Sequence, residues 1–174
     1  MKEHAAEDMV AIHKRCGREL EGELSLRREE ILPRVAVHFG TAQIFPQGVD
    51  YSISAGELAL TQSAEPAALA HFKRAAALLE QQCERAEPKQ REALTDRLLS
   101  IYARVAQLSS AAWIDAATCF AWFEKAVELS RARGDHENAF GLSLGQLISY
   151  SIAGRYKEAH RIADQMMPNL EEGS

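Results

Sequence analysis

Proline is scarce in this chain: 5 residues among 174, so few points force a helix to stop. Glycine is nearly as sparse, at 10. Val, Ile and Thr never dominate a run, which leaves little material for strands. No apolar stretch approaches the roughly 20 residues that span a bilayer. The opening residues, MKEHAAEDMVAIHKRC, are too polar for the apolar segment of a secretory leader. Three cysteines, Cys16, Cys83 and Cys119, are odd in number and far apart. That argues against a disulfide framework and for reduced thiols in a cytoplasmic protein.

Positive charge is also short. The net charge is −5, and nucleic-acid binding needs clustered Lys and Arg. Lys14, Arg15, Arg18, Arg27, Arg28 and Arg34 gather early, but Glu19, Glu21, Glu23, Glu29 and Glu30 dilute them. No aromatic is interleaved to stack a base. Catalytic signatures are missing too: no GxxxxGK[ST] or GxGxxG phosphate loop, no HExxH, no CxxC and no GxSxG. The expectation is a chain without enzymatic activity, cofactor, metal, nucleic-acid partner or membrane span.

What is present is helix-forming. Hydrophobic residues make up 47% of the chain, and long turn-free stretches are rich in Ala, Leu, Glu, Arg and Gln. About eight helices follow from the periodicity. Met9, Ile12, Cys16 and Leu20 stripe the first, over 3–20, with Gly17 and Gly22 loosening its end. Ile31, Val35 and Phe39 stripe the second, with Ser25 as a candidate cap and Pro33 near its start. Pro46-Gln-Gly48 reads as a break. Further helices run at 49–61, at 65–84 behind a Ser63 cap, and at 90–107 with Leu94, Leu98, Ile101 and Val105. The sixth spans 113–133 and ends at Gly134; Asp135 caps the seventh, and Gly154 separates it from the last. That last helix ends at Met167-Pro168. Short turns make consecutive helices antiparallel neighbours.

A packing pattern recurs. Ala68, Phe72 and Ala75 share their offsets with Cys119, Phe123 and Ala126, and with Ala159, Ala163 and Met166. A small side chain lets two helices approach to about 8 Å rather than 10 Å. The larger residue one turn on fills the space beside the contact. Gly56, on the helix before Ala68, completes the first set, and Gly154, Tyr156 and Ala159 form the turn and the start of the last helix. There Tyr156 is expected to cover the junction, with His160 facing away.

This set resembles the tetratricopeptide repeat, although the key residues are 51 and 40 apart rather than the family's about 34. The resemblance implies an all-α, right-handed α-α superhelix. A second resemblance lies in ILPRVAVHFGTAQIFPQGVDYSISAGELALTQSAEPAALAHFKRAAALLE, residues 31–80. Val35, His38, Phe39, Tyr51, Ala55, Gly56, Glu57, Ala68, His71, Phe72, Ala75 and Leu78 are similar to the segment that opens the sensor region of multidomain signalling ATPases. Some of these are fused to adenylate or guanylate cyclase domains. IHKRCGRELE, residues 12–21, resembles the linker helix before it. The resemblance implies an N-terminal linker helix over 1–26, a repeat array over 27–168 and a disordered tail over 169–174. It also implies a regulatory role, with the ATPase or cyclase domains of such a polypeptide as partners.

Candidate functional residues follow from that array. Its concave wall comes from the first helix of each pair. Asp50, Ile53, Glu57, Arg104 and Leu108 map there, a mixed surface suited to a protein or peptide partner. Trp113, Phe120, Trp122 and Phe123 concentrate aromatic area on one helix, and Trp122 points away from the Phe123 core side, as an exposed anchor or a packed ring. Two HF pairs place His38 and His71 as candidates for a pocket between helices, which would suit a small-molecule-binding or catalytic domain. His13 and Cys16 share a helix face, but two ligands do not close a zinc site. Apolar terminal helices would also allow self-association into a homo-oligomer.

Overall fold

In a computed structural model, residues 2–111 and 116–171 are described, and within them lie eight helices and no strand. They are α1 Lys2–Glu21, α2 Arg28–Thr41, α3 Phe45–Thr61 and α4 Glu65–Arg85. Then follow α5 Pro88–Ala111, α6 Ala116–Ala132, α7 His136–Ile152 and α8 Tyr156–Glu171. The all-α class is as expected.

The turns show which local signals decide helix ends. Gly134 and Gly154 take φ of 72° and 71°, the left-handed conformation that glycine adopts without a Cβ penalty. Asp135 caps α7: its carboxylate accepts from the Asn138 backbone N–H at 3.1 Å. Several expectations fail here: Ser25 does not cap α2, whose N-cap is Arg27 with no side-chain bond. Pro46 opens α3 instead of breaking the chain, because a helix's first turn has no use for the missing N–H. Ser63 does not cap α4; it takes the left-handed turn itself, at φ 55°, and Ala64 precedes the helix with no side-chain bond. Pro33 lies inside α2. At the other end, α8 continues past Pro168 to Glu171.

The chain forms two compact units, Met1–Ile101 and Tyr102–Ser174, divided within α5. In the first, α2 packs on α1, α3 and α4, and α3 packs on α4. Ile31, Val35 and Phe39 are buried, as the stripe predicts. Phe72 is fully buried between Ala68 and Ala75, and its ring sits over Gly56, where a Cβ would come within 2.8 Å. Gly40 and Gly48 mark a second close approach: a Cβ on Gly48 would lie 3.2 Å from the Gly40 backbone. α1, expected as a linker, lies on α2, with Gly17 against the Phe39 ring. Only its C-terminal half is covered: Leu20 packs on the Ile31–Val35–Phe39 cluster, whereas Met9 and Ile12 are exposed. Gly17 is thus a contact and not a loosened end.

In the second unit α6 packs on α7 and α7 on α8. Cys119, Phe123 and Ala126 are buried, and so are Ala159 and Met166. Phe123 repeats the Phe72 arrangement with a change of partner. It faces Gly145 on the following helix, where a Cβ would come within 2.9 Å. Phe120 stacks on Tyr150 with ring centroids 3.9 Å apart. Ala159, Ile162 and Met166 of α8 close over that stack. Tyr156, expected to cover this junction, is exposed, and Arg155 lies over the Phe120 ring instead, at 4.9 Å. His160 points outward, as expected, beside Asp164 at 3.3 Å.

Candidate functional site

The residues mapped to a concave wall are carried by two helices. Asp50, Ile53 and Glu57 lie on α3 in the first unit, and Arg104 and Leu108 on α5 in the second. Asp50 and Glu57 are exposed, while Ile53, Arg104 and Leu108 are half-buried. Asp50 accepts a hydrogen bond from Arg97 Nη2 at 2.5 Å, a surface ion pair worth little in stability.

Trp122 is half-buried, not an exposed anchor. Its ring leans on Tyr102, with centroids 5.4 Å apart, and Lys125 Nζ lies 4.8 Å from its centre. It also packs on the cluster of Ala106, Cys119 and Phe123. Trp113 lies outside the described residues.

The two histidines look to different partners. His38 Nδ1 is 3.0 Å from Nδ1 of His13, on α1. His71 Nδ1 is 3.3 Å from Arg74, one turn along its own helix. Burial lowers the pKa of both; the charges of His13 and Arg34 add to the effect at His38, and that of Arg74 at His71. Both therefore favour the neutral form. Neither lines either of the cavities described below. His13 thus partners a histidine rather than joining Cys16 at a metal, and no group of three potential metal ligands occurs among the described residues. Nearby, Tyr51 donates to Glu21, and burial with that bond pushes the phenol up to about 12.

The feature that sequence reasoning missed is on α7. This helix is inverted: its buried face includes Ser143, Gln146 and Ser149 beside Ala139, Leu142 and Tyr150. Its exposed face carries Leu144, Ile148 and Ile152, which are 43%, 50% and 56% exposed. Spacings of four put the three on one line along the helix. Their periodicity was visible in the sequence, but apolar spacing of that kind normally marks the side facing a core.

Two cavities occur in the second unit. The smaller, about 60 Å³, is bordered by Ser109, Ser110, Cys119 and Ser149. Ser110 and Ser149 hydroxyls are 2.9 Å apart, Ser109 Oγ has no partner among the described residues, and the Cys119 thiol donates to the Ala106 carbonyl. Among the described residues no histidine or carboxylate borders it. The space suits one or two waters. The larger, about 210 Å³, is a groove between α6 and α8 with α7 as its floor.

No described helix is long and apolar enough to cross a membrane. Neither a comparison with protein-family profiles nor one with curated proteins finds a match.

Proposed function

We propose that this chain is a non-enzymatic protein–protein interaction module, built from degenerate tetratricopeptide-like helix pairs and acting as a cytoplasmic sensor or scaffold of a signalling ATPase or cyclase. The observation that carries the interaction role is the inverted α7 helix. Three large aliphatic side chains face water on one line while serines and a glutamine occupy the interior. An apolar line of this kind is the surface that a partner helix or peptide covers. The regulatory context rests on the likeness of residues 31–80 to the sensor segment of signalling ATPases. The small-molecule reading loses its support, because His38 pairs with His13 and His71 with Arg74.

The test is selection of a random-peptide display library on the whole chain. Enriched peptides should lose binding to Ile148→Asp, a change at an exposed position that leaves the core intact. A library that yields no binder, or binders indifferent to Ile148→Asp, Leu144→Asp and the groove variants described below, overturns the assignment.

A further inference from the structure

We propose that the groove between α6 and α8 holds a short segment of a partner protein that carries a carboxylate and a cationic side chain close together. The proposal rests on reading the chain as an interaction module and adds a second, polar site to the apolar line on α7. Glu124, Glu128 and Arg131 of α6 border one side of the groove, Arg161 of α8 the other, and Ser143 and Gln146 lie in its floor.

The floor is built around an unmet need. Gln146 is 2% exposed, and its Nε2 has no hydrogen-bond partner among the described residues. Folded proteins rarely leave a buried donor unpaired, because the desolvation penalty is not recovered. Burial raises the Tyr150 phenol's pKa; the Gln146 amide beside it acts in the opposite sense, yet its Nε2 makes no hydrogen bond among the described residues. With Gln146 in the floor of the groove, its Nε2 requires an acceptor from outside. Ser143 does not meet the need: its hydroxyl donates to the Ala139 carbonyl at 2.8 Å, and its oxygen is not within hydrogen-bond reach of Nε2.

The walls define that acceptor's company. The Phe123–Gly145 contact sets the register of α6 against α7 and puts Glu124 near the level of Gln146. Equal counts back and forward from the Gly154 turn put Arg161 and Ile162 opposite Gln146. Glu124 and Glu128 on α6 and Arg161 on α8 thus flank the buried amide. Among the described residues, none of Glu124, Glu128, Arg131 and Arg161 has an ion-pair partner. A carboxylate directed at Arg161 and Gln146, with a cation directed at Glu124 and Glu128, satisfies those four groups. The chemistry excludes other occupants. Two carboxylates repel a phosphate backbone, and two arginines repel a metal ion. A space of about 210 Å³ takes one or two side chains. It falls below the roughly 300–1,000 Å³ of drug-sized ligand pockets.

The experiment takes the peptides enriched on the whole chain and measures their affinity for Gln146→Met, Arg161→Ala and Ile148→Asp. A subset with acidic and basic residues side by side is expected. Its affinity should fall about tenfold or more on Gln146→Met and on Arg161→Ala, the scale of a hydrogen bond to a charged group, and hold on Ile148→Asp. Arg161 is exposed, so its variant keeps the test valid if the buried change disturbs folding. Enriched peptides that all bind Gln146→Met and Arg161→Ala as tightly as the wild type overturn the groove. If those peptides respond to Ile148→Asp, the interaction module survives without the groove; if none is enriched, both fall.

Discussion

Two glycines one turn apart on α7 should respond to the same substitution with opposite signs. Gly141 has nothing within 4 Å of where a Cβ would stand. Gly145 has Phe123 Cε1 at 2.9 Å and Cζ at 3.2 Å. Alanine in a helix interior is favoured over glycine by about 0.8–1.0 kcal/mol, and both sites gain that. At Gly145 the new methyl also meets a ring that is 3% exposed and enclosed by its neighbours. Overpacking of that kind costs about 1–3 kcal/mol. Gly141→Ala should therefore stabilise by nearly 1 kcal/mol, while Gly145→Ala should be neutral at best and destabilising by about 2 kcal/mol at worst. The helix preference cancels between the variants, so their difference isolates the contact with Phe123. Thermal unfolding followed by circular dichroism resolves this, since about 1 kcal/mol moves the midpoint of a unit this size by about 4–8 °C. Equal stabilisation by both variants would show that Phe123 does not sit on Gly145, and the packing assigned to α6 and α7 would be wrong.

Acid should destabilise the first unit. His38 and His71 have pKa values lowered from 6.5, so protonation favours the unfolded chain. Their contribution is fully present above about pH 6.5 and is lost as pH falls through the lowered values. Urea midpoints should decline from about pH 7 to about pH 5, and a His38→Asn, His71→Asn double variant should flatten the decline. Identical profiles for the two proteins would refute this. Asp135→Ala should cost about 1 kcal/mol by freeing the Asn138 N–H, and an unchanged unfolding midpoint would show that the cap is idle. Gln146→Met should raise the unfolding midpoint, because it removes a buried donor that has no acceptor. A lowered midpoint would mean that the amide is already satisfied in the free protein.

The sequence announced its packing better than its surfaces. The triads of Ala68, Phe72 and Ala75 and of Cys119, Phe123 and Ala126 were legible because a close helix crossing demands small residues at fixed spacing. Gly145 was not, because it lies on the helix after Phe123, the reverse of the Gly56–Phe72 order in which the glycine precedes the ring. Ser63 misled for a local reason: serine suits both a cap and, less often, a left-handed turn, and the α3–α4 connection uses the second. The α7 surface was hidden by the rule that reveals helices. Leu144, Ile148 and Ile152 carry the spacing of a core stripe, and Gln146 reads as a surface residue; the fold reverses both. His38 and His71 share an HF pair in sequence, yet each ring found a different neighbour on the helices packed around it.

The account stands or falls on whether the apolar line of α7 is a binding surface. Calorimetric titration of one enriched apolar peptide into the wild type and into Ile148→Asp is the direct measurement. The account predicts a binding isotherm for the wild type and none for the variant, with the same unfolding midpoint for both. Equal affinity for the two proteins would contradict it.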